Sequence, residues 1–103
     1  MDVARLTSDE VNREIAKRRG ADSRYDVGNG LVWDLSPDYL EWQHCGPLLE
    51  ELATRELDVA ITWQWDRCEV LLVGRHIMEA GEQLRDAIRR AWLAWKVGED
   101  ELR

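Results

Sequence analysis

The chain has 103 residues, 45% of them hydrophobic and 34% charged, and it carries a formal net charge of −7. This length and balance predict one folded domain over residues 1–103 and argue against a disordered chain. The absence of a long apolar run and of a signal-peptide pattern predicts a soluble, cytoplasmic protein. Two cysteines, Cys45 and Cys68, are too few for a disulfide framework and agree with a reducing compartment.

The first predicted element is a helix over residues 7–19. Thr7 suits the N-cap position and Glu10 stands three residues later, which is the pair that forms a capping box. Acidic residues fill the first turn and basic residues the last turn, as the helix dipole favours. Gly20 then ends the helix. Because its apolar side chains form only a narrow stripe, we expect this helix to contact the core along one edge.

The next part of the chain is predicted to contain a loop, a strand and a helix. Residues 21–30 have the glycine, asparagine and aspartate content of a loop, and residues 31–35 are a candidate third strand of the sheet. Pro47 interrupts the following pattern, because a proline in a helix interior costs about 3 kcal/mol. We therefore expect an irregular segment over 37–45 and a helix over 47–55.

Residues 59–74 form the clearest pattern in the chain, two runs in which apolar side chains alternate with others. This period of two predicts a β-hairpin with one apolar face. A two-residue turn at 66–67 places Trp65 opposite Cys68. Asp-Arg suits such a turn poorly, so a longer turn that absorbs Trp65 is the alternative. We expect Trp63 and Trp65 to pack in the core, with stacking on a ligand as the alternative.

The last part of the chain is predicted to be a connection over 75–81 and the longest helix over 82–96. Apolar residues recur in that helix at three- and four-residue spacing, and Gly98 is expected to end it. The fold class is therefore α+β. It consists of a small antiparallel sheet of about three strands, with the central hairpin 59–74, packed with three helices (7–19, 47–55 and 82–96).

Several segments resemble a family of small phage and prophage proteins. They are the strings TSDEVNREIAKRRG, WDLSPDYLEW with LLEEL following, and GEQLRDAIRRAWLAW. That family is described as an ABA sandwich, a sheet with helices on both faces, and it shares a polar first helix and a PDY-like segment before the second. Gly46 and Pro47 depart from the pattern, as do Leu40 and Glu41 after the tyrosine. The resemblance implies a phage-derived accessory protein and supplies no catalytic residues.

The sequence predicts no enzyme, no cofactor and no metal site. Nucleophile motifs are absent. His44 and Cys45 are adjacent, and on a helix they point about 100° apart, which suits a catalytic dyad poorly. These two residues with Cys68 and His76 have the right atoms for zinc but lack the usual spacing. No helix concentrates basic residues beyond Arg85, Arg89 and Arg90, and the overall negative charge repels DNA, so direct nucleic-acid binding is not expected.

Protein binding is the predicted function. Residues 31–80 carry ten acidic side chains and three arginines, a balance that favours a basic partner, although solubility alone also accounts for it. A segment in this region combines carboxylates with aromatic side chains, as interaction hot spots do. With the resemblance, this predicts a non-enzymatic phage-type protein that binds a bacterial host protein or nucleoprotein complex, as inhibitors of CRISPR complexes do. The candidate protein-binding residues, each of which also fits a structural role, are Asp34, Asp38, Tyr39, Glu41, Trp42, Glu50 and Glu51.

Self-association is the alternative function. The helix over 82–96 is apolar around more than half its circumference, so one stripe is expected to face the core and part of the remainder to be free. The chain is then a small dimeric structural or regulatory phage protein with no inhibitory role. The candidate dimer residues are Trp92, Leu93 and Trp95.

Overall fold

The computed structural model describes residues 1–20, 24–26, 32–34, 37–55 and 57–101, without the side chains of the two shortest segments. Within these residues the chain forms three α-helices and a three-stranded antiparallel sheet, which confirms the predicted α+β fold. In chain order the elements are a 3-10 helix (Val3–Arg5), α1 (Ser8–Arg19), β1 (Arg24–Asp26), β2 (Val32–Asp34), α2 (Trp42–Thr54), β3 (Asp58–Trp63), β4 (Cys68–Val73), β5 (Ile77–Gly81) and α3 (Leu84–Glu101).

The first helix begins as predicted. The Thr7 hydroxyl accepts a hydrogen bond from the Glu10 backbone N–H at 3.3 Å, and the Glu10 carboxylate accepts one from the Thr7 backbone N–H at 3.0 Å. This second hydrogen bond lowers the pKa of the Glu10 carboxyl group, because it stabilises the charged form. Gly20 follows the helix with φ of 68°, a left-handed conformation that glycine adopts without strain.

The central hairpin is present, but its register differs from that of a two-residue turn. Trp63, rather than Trp65, lies opposite Cys68, and the four residues between the strands form the turn. The longer turn is favoured because Asp66 and Arg67 are poorly suited to the positive φ angles of a tight one. The register shift is two residues, so every side chain keeps the predicted face of the sheet.

The third strand of the sheet is β5 rather than residues 31–35. β5 occupies most of the stretch predicted to be a connection, and it pairs with β4. The chain reverses in three residues because Gly74 and His76 both adopt positive φ, at 83° and 55°. β2 lies where a strand was predicted but pairs with β1 in a separate two-stranded sheet, so its predicted place in the main sheet is wrong.

The predicted break at Pro47 is also wrong. α2 starts at Trp42 and continues through the proline, so the last part of the segment predicted to be irregular is helical. Cys45, Leu48 and Leu52 recur on one side of α2 and are fully buried. Burial contributes about 1.5–3 kcal/mol for each of the two leucines. Together with Cys45 they outweigh the cost of about 3 kcal/mol for the proline.

The last helix extends past Gly98, where it was predicted to end. It continues to Glu101 although acidic side chains near a helix C-terminus oppose the dipole. Two cations lie close enough to offset this effect. Arg18 Nε is 3.3 Å from the Asp100 carboxylate, and the amino group of Met1 is 3.7 Å from the Glu101 carboxylate.

The core lies between one face of the sheet and the helices. Alternate residues of β4 are buried, while Leu71 and Val73 on the opposite face are exposed. In the part of the chain that is described, the helices therefore cover one face, whereas the resemblance to the phage family implies helices on both. The fully buried side chains of α3 include Ile88, Arg89, Trp92 and Leu93.

Candidate functional site

Three tryptophans expose much of their surface to solvent. The exposed fraction is 99% for Trp65, 65% for Trp63 and 49% for Trp42. The prediction that Trp63 and Trp65 pack in the core is therefore wrong. Trp65 lies in the four-residue turn, away from the sheet, and Trp63 occupies the last position of the edge strand β3. Exposed indoles leave a large apolar area in water, so they mark a candidate contact surface.

These three side chains lie at one end of the molecule. Trp63 pairs with Cys68, and Cys68 pairs with Gly81, so these residues form one row across the end of the sheet. Gly81 is three residues before the first residue of α3. The Arg85 guanidinium, in the first turn of α3, lies over the Trp42 ring at 5.6 Å from its centroid. The Cys45 sulfur is 3.6 Å from the Arg85 carbonyl oxygen. The first turns of α2 and α3 therefore lie side by side, at the same end of the sheet as the β3–β4 turn.

Exposed carboxylates accompany the tryptophans at this end. Glu41 precedes Trp42, Asp66 lies in the β3–β4 turn, and Glu82 lies between β5 and α3. The neighbouring Arg67 does not offset them, because its guanidinium already donates hydrogen bonds to Glu69. We call this surface the tryptophan end and define it by Trp42, Trp63, Trp65, Glu41, Asp66 and Glu82.

The fold divides the segment that was predicted to bind a partner. Tyr39 is buried, which raises the pKa of its hydroxyl, and its backbone N–H donates to the Asn12 side chain at 3.1 Å. The Asp38 carboxylate accepts from the same Asn12 side chain, also at 3.1 Å. These two residues attach the segment to α1, whereas residues 41–42 are exposed. Asp34 lies on β2, and its side chain is outside the described part of the chain.

Glu51 was predicted to face a partner but lies in a cluster that joins the three helices. Its carboxylate accepts from the Trp92 indole N–H at 2.6 Å and from Arg19 at 3.0 Å, and it lies 3.7 Å from the Lys96 ammonium group. This arrangement gives Glu51 a structural role. Glu50 is exposed but lies about 12 Å along α2 from its start, so it is separate from the tryptophan end.

The predicted dimer residues are inside the folded chain. Trp92, Leu93 and Trp95 are all buried, with at most 3% of their surface exposed. The apolar circumference of α3 exceeds one stripe because α1, α2 and the sheet all pack against it. No apolar surface remains on these three residues for a second chain, so the predicted dimer contact through them is wrong.

A cleft of about 580 Å³ lies between the 3-10 helix, β5 and α3. Arg89, which is 1% exposed, donates to Asp86 at 2.7 Å and to the Ser8 hydroxyl and the Asn12 side chain at 2.8 Å each. Arg90 donates to the same Asp86 carboxylate at 3.0 Å. These polar groups satisfy one another, so they hold α1 and the N-terminus on α3. Sequence reasoning missed this network, whose partners lie about 80 residues apart.

The residues considered for catalysis and metal binding are dispersed. Cys45 is buried, and burial raises the pKa of its thiol to about 11, so the thiol is protonated near neutral pH. The neighbouring His44 ring contacts Tyr39 edge to face, with 6.0 Å between the centroids. Among the described residues, no three His, Cys, Asp or Glu side chains are grouped to hold a metal ion. None of the described helices is both long and apolar enough to cross a membrane.

The fold and the tryptophan end define a small α+β protein with an acidic, aromatic surface. Comparison with known proteins gave no match to a family model, to a curated protein or to a solved structure. The resemblance to the phage family therefore stays a prediction.

Proposed function

We propose that this protein acts by binding, without catalysis, to a basic surface of another protein or nucleoprotein complex, and that the tryptophan end makes the contact. The observation that carries the proposal is the exposure of three tryptophans at one end of the chain, among carboxylates. Tryptophan is one of the residues enriched in binding hot spots, where its ring fills a pocket of the partner. The partner class is the one predicted from the sequence, a bacterial host component, with CRISPR effector complexes as one member.

Electrostatics supports a basic partner. The chain carries a net charge of −7, and ten of its acidic side chains fall within residues 31–80. The exposed carboxylates of Glu41, Asp66 and Glu82 lie in or next to that region. Charge of one sign around apolar anchors accelerates association and selects partners of opposite sign. The same charge repels nucleic-acid phosphates, so a protein surface fits better than DNA or RNA.

The test compares two variants with identical net charge in a capture experiment from bacterial lysate. The first neutralises the tryptophan end with Glu41→Gln, Asp66→Asn and Glu82→Gln. The second is the matched control and neutralises three exposed carboxylates elsewhere. Each purified protein is immobilised, incubated at low and at high salt, and the retained proteins are identified by mass spectrometry. The control substitutions are Asp9→Asn, Glu50→Gln and Asp58→Asn.

We expect one partner to be retained by the unsubstituted protein and by the control at low salt, and to be lost at high salt. The tryptophan-end variant should retain much less of it. A Trp42→Ala, Trp65→Ala double variant should also lose the partner at unchanged net charge. If both charge variants retain the same proteins equally, binding follows net charge alone and the proposal fails. An empty capture with a protein that elutes as a dimer favours the alternative, a small dimeric structural or regulatory protein.

A further inference from the structure

The two outer strands of the main sheet differ in how they are protected from further pairing. β5 is a five-residue strand, and its Glu79 lies opposite Val70, so its carboxylate points to the inner, helix-covered face. An inward charge on an edge strand discourages another strand from adding there. β3 is six residues long and contains no proline, no lysine and no inward charge, since its Asp58 points to the outer face. Among the described residues, no strand pairs with the outer edge of β3.

The hydrogen-bonding groups of β3 alternate between β4 and the free edge. The Gln64 backbone N–H donates to the Arg67 carbonyl oxygen across the hairpin at 2.8 Å. This bond shows which residues of β3 point their backbone groups toward β4. In an antiparallel ladder, every second residue points its N–H and C=O groups to the same neighbour. Residues 58, 60 and 62 therefore bond to β4, and Val59, Ile61 and Trp63 direct their backbone groups to the free edge.

We propose that β3 pairs with β3 of a second copy of this chain, in an antiparallel register centred on Ile61. This register is the symmetric one that uses all three outward residues, because Ile61 then pairs with itself and Val59 pairs with Trp63 of the other copy. Three hydrogen-bonded pairs supply about six backbone hydrogen bonds. The result is one continuous six-stranded sheet with a two-fold axis, the commonest symmetry of homodimers.

The side chains of β3 favour a second copy over other occupants. Val59, Ile61 and Trp63 share the inner face, where the first two are partly buried and Trp63 is 65% exposed. In the proposed register each Trp63 ring lies next to Val59 of the other copy, so both lose apolar surface to water. Asp58 lies opposite Gln64, so no like charges face each other although each chain carries −7. This dimer does not depend on the proposed binding function, and it leaves Trp42 and Trp65, which are not part of β3, for that contact.

The first test uses two variants that differ only in one backbone donor. Ile61→Pro and Ile61→Ala both lose the isoleucine side chain, but only proline removes the N–H that points to the free edge. Sedimentation or light scattering over a concentration series should give a mass about twice 12.0 kDa for the unsubstituted chain. We expect the dimer dissociation constant of Ile61→Pro to exceed that of Ile61→Ala on the order of tenfold or more. Circular dichroism checks that both variants fold.

The second test probes the register directly and does not rely on a destabilised variant. In the proposed pairing, Ile61→Cys places two thiols directly opposite each other, at a Cα separation of about 5.5 Å that a disulfide accepts. Thr62→Cys is the matched control, because it lies opposite residue 60 and not opposite itself. Mild oxidation should cross-link the first variant and not the second. The native Cys45 and Cys68 are buried. A monomer at every concentration, equal dimerisation of the proline and alanine variants, or a dimer without this cross-link would overturn the proposal.

Discussion

The tryptophans of α3 and the tryptophan of the β3–β4 turn lie in opposite environments. On α3, Trp92 is buried, its indole N–H donates to Glu51, and its ring lies beneath the Arg19 guanidinium at 5.6 Å. In the turn, Trp65 is almost fully exposed and makes no such contact. One residue type therefore has two roles in the same chain. The buried Trp92 uses both its ring and its N–H within the fold, whereas the exposed Trp65 leaves both available to a partner.

Charged residues divide in the same way. Near α3, carboxylates and guanidinium groups pair over short distances and join segments that are remote in sequence, as Arg89 does with Asp86 and Ser8. At the tryptophan end, Glu41 and Glu82 are exposed. Stability should therefore respond to substitutions around α3, and binding should respond to substitutions at the tryptophan end.

Arg89→Met should cause the largest loss of stability. The substitution removes the side-chain donor to both Ser8 oxygens. It also removes one of two donors to the Asp86 carboxylate, which keeps Arg90, and one of two to the Asn12 side chain, which keeps the Tyr39 N–H. Removing one partner of a buried charged network costs about 3–5 kcal/mol. The free energy of unfolding is measured by urea denaturation. Arg85→Met is the matched control one turn earlier on α3, and because it mainly loses the contact with the Trp42 ring it should cost only about 0.5–1 kcal/mol. Equal losses for the two variants would contradict the structural role of Arg89.

Glu51→Gln should cost about 1 kcal/mol. The amide oxygen can still accept from the Trp92 indole, but the attraction to Arg19 and Lys96 is lost. Because that attraction is electrostatic, the difference from the unsubstituted protein should shrink as salt is added. Glu50→Gln, one residue earlier and exposed, is the control and should change little. A cost that stays constant with salt would show that the ion pairs do not contribute.

The elements that could be predicted from the sequence are those set by local chemistry. The capping box at Thr7 and the alternation in residues 59–74 depend on near neighbours, and both are observed. The errors concern long-range packing. Pro47 is tolerated in α2 because α3 buries the residues around it, and Trp63 is exposed because no described helix covers the end of β3. Only part of the candidate site could be predicted from the sequence. Residues 41–42 were named as a binding surface, but Trp63 and Trp65 were assigned to the core.

Glu79→Gln should have a smaller effect that depends on pH. Burial on the inner face of β5 raises the pKa of the Glu79 carboxyl group above its ordinary value of 4.5, with Arg90 opposing and Asp2 adding to the shift. Below about pH 4.5 the carboxyl is protonated in both the folded and unfolded states, so the charge costs nothing. As pH rises through the raised pKa, the folded state loses stability relative to the unfolded state. Glu79→Gln should therefore stabilise the protein slightly at pH 7 and not in acid.

The measurement for Glu79→Gln is urea unfolding over a pH series, with Glu82→Gln as a control that removes the same charge from an exposed position. A gain for Glu79→Gln that persists unchanged into acid would exclude titration of Glu79 as its cause. Equal gains for both variants at pH 7 would assign the effect to net charge rather than to burial. Either result would show that burial of the Glu79 carboxylate does not cause the stability change.

Trp65→Ser should leave the free energy of unfolding unchanged within about 0.5 kcal/mol, because the indole contacts little of the folded chain. The same substitution should remove a fluorescence component that acrylamide quenches readily, since quenching requires access from solvent. Trp42→Ser is the comparison variant and should cost slightly more, because the Arg85 guanidinium lies over that ring and such a contact is worth about 0.5–1 kcal/mol at an exposed site. If Trp65→Ser destabilises the protein by more than Trp42→Ser, the turn packs on the chain. The indole is then part of the structure, and the tryptophan end loses its most exposed anchor.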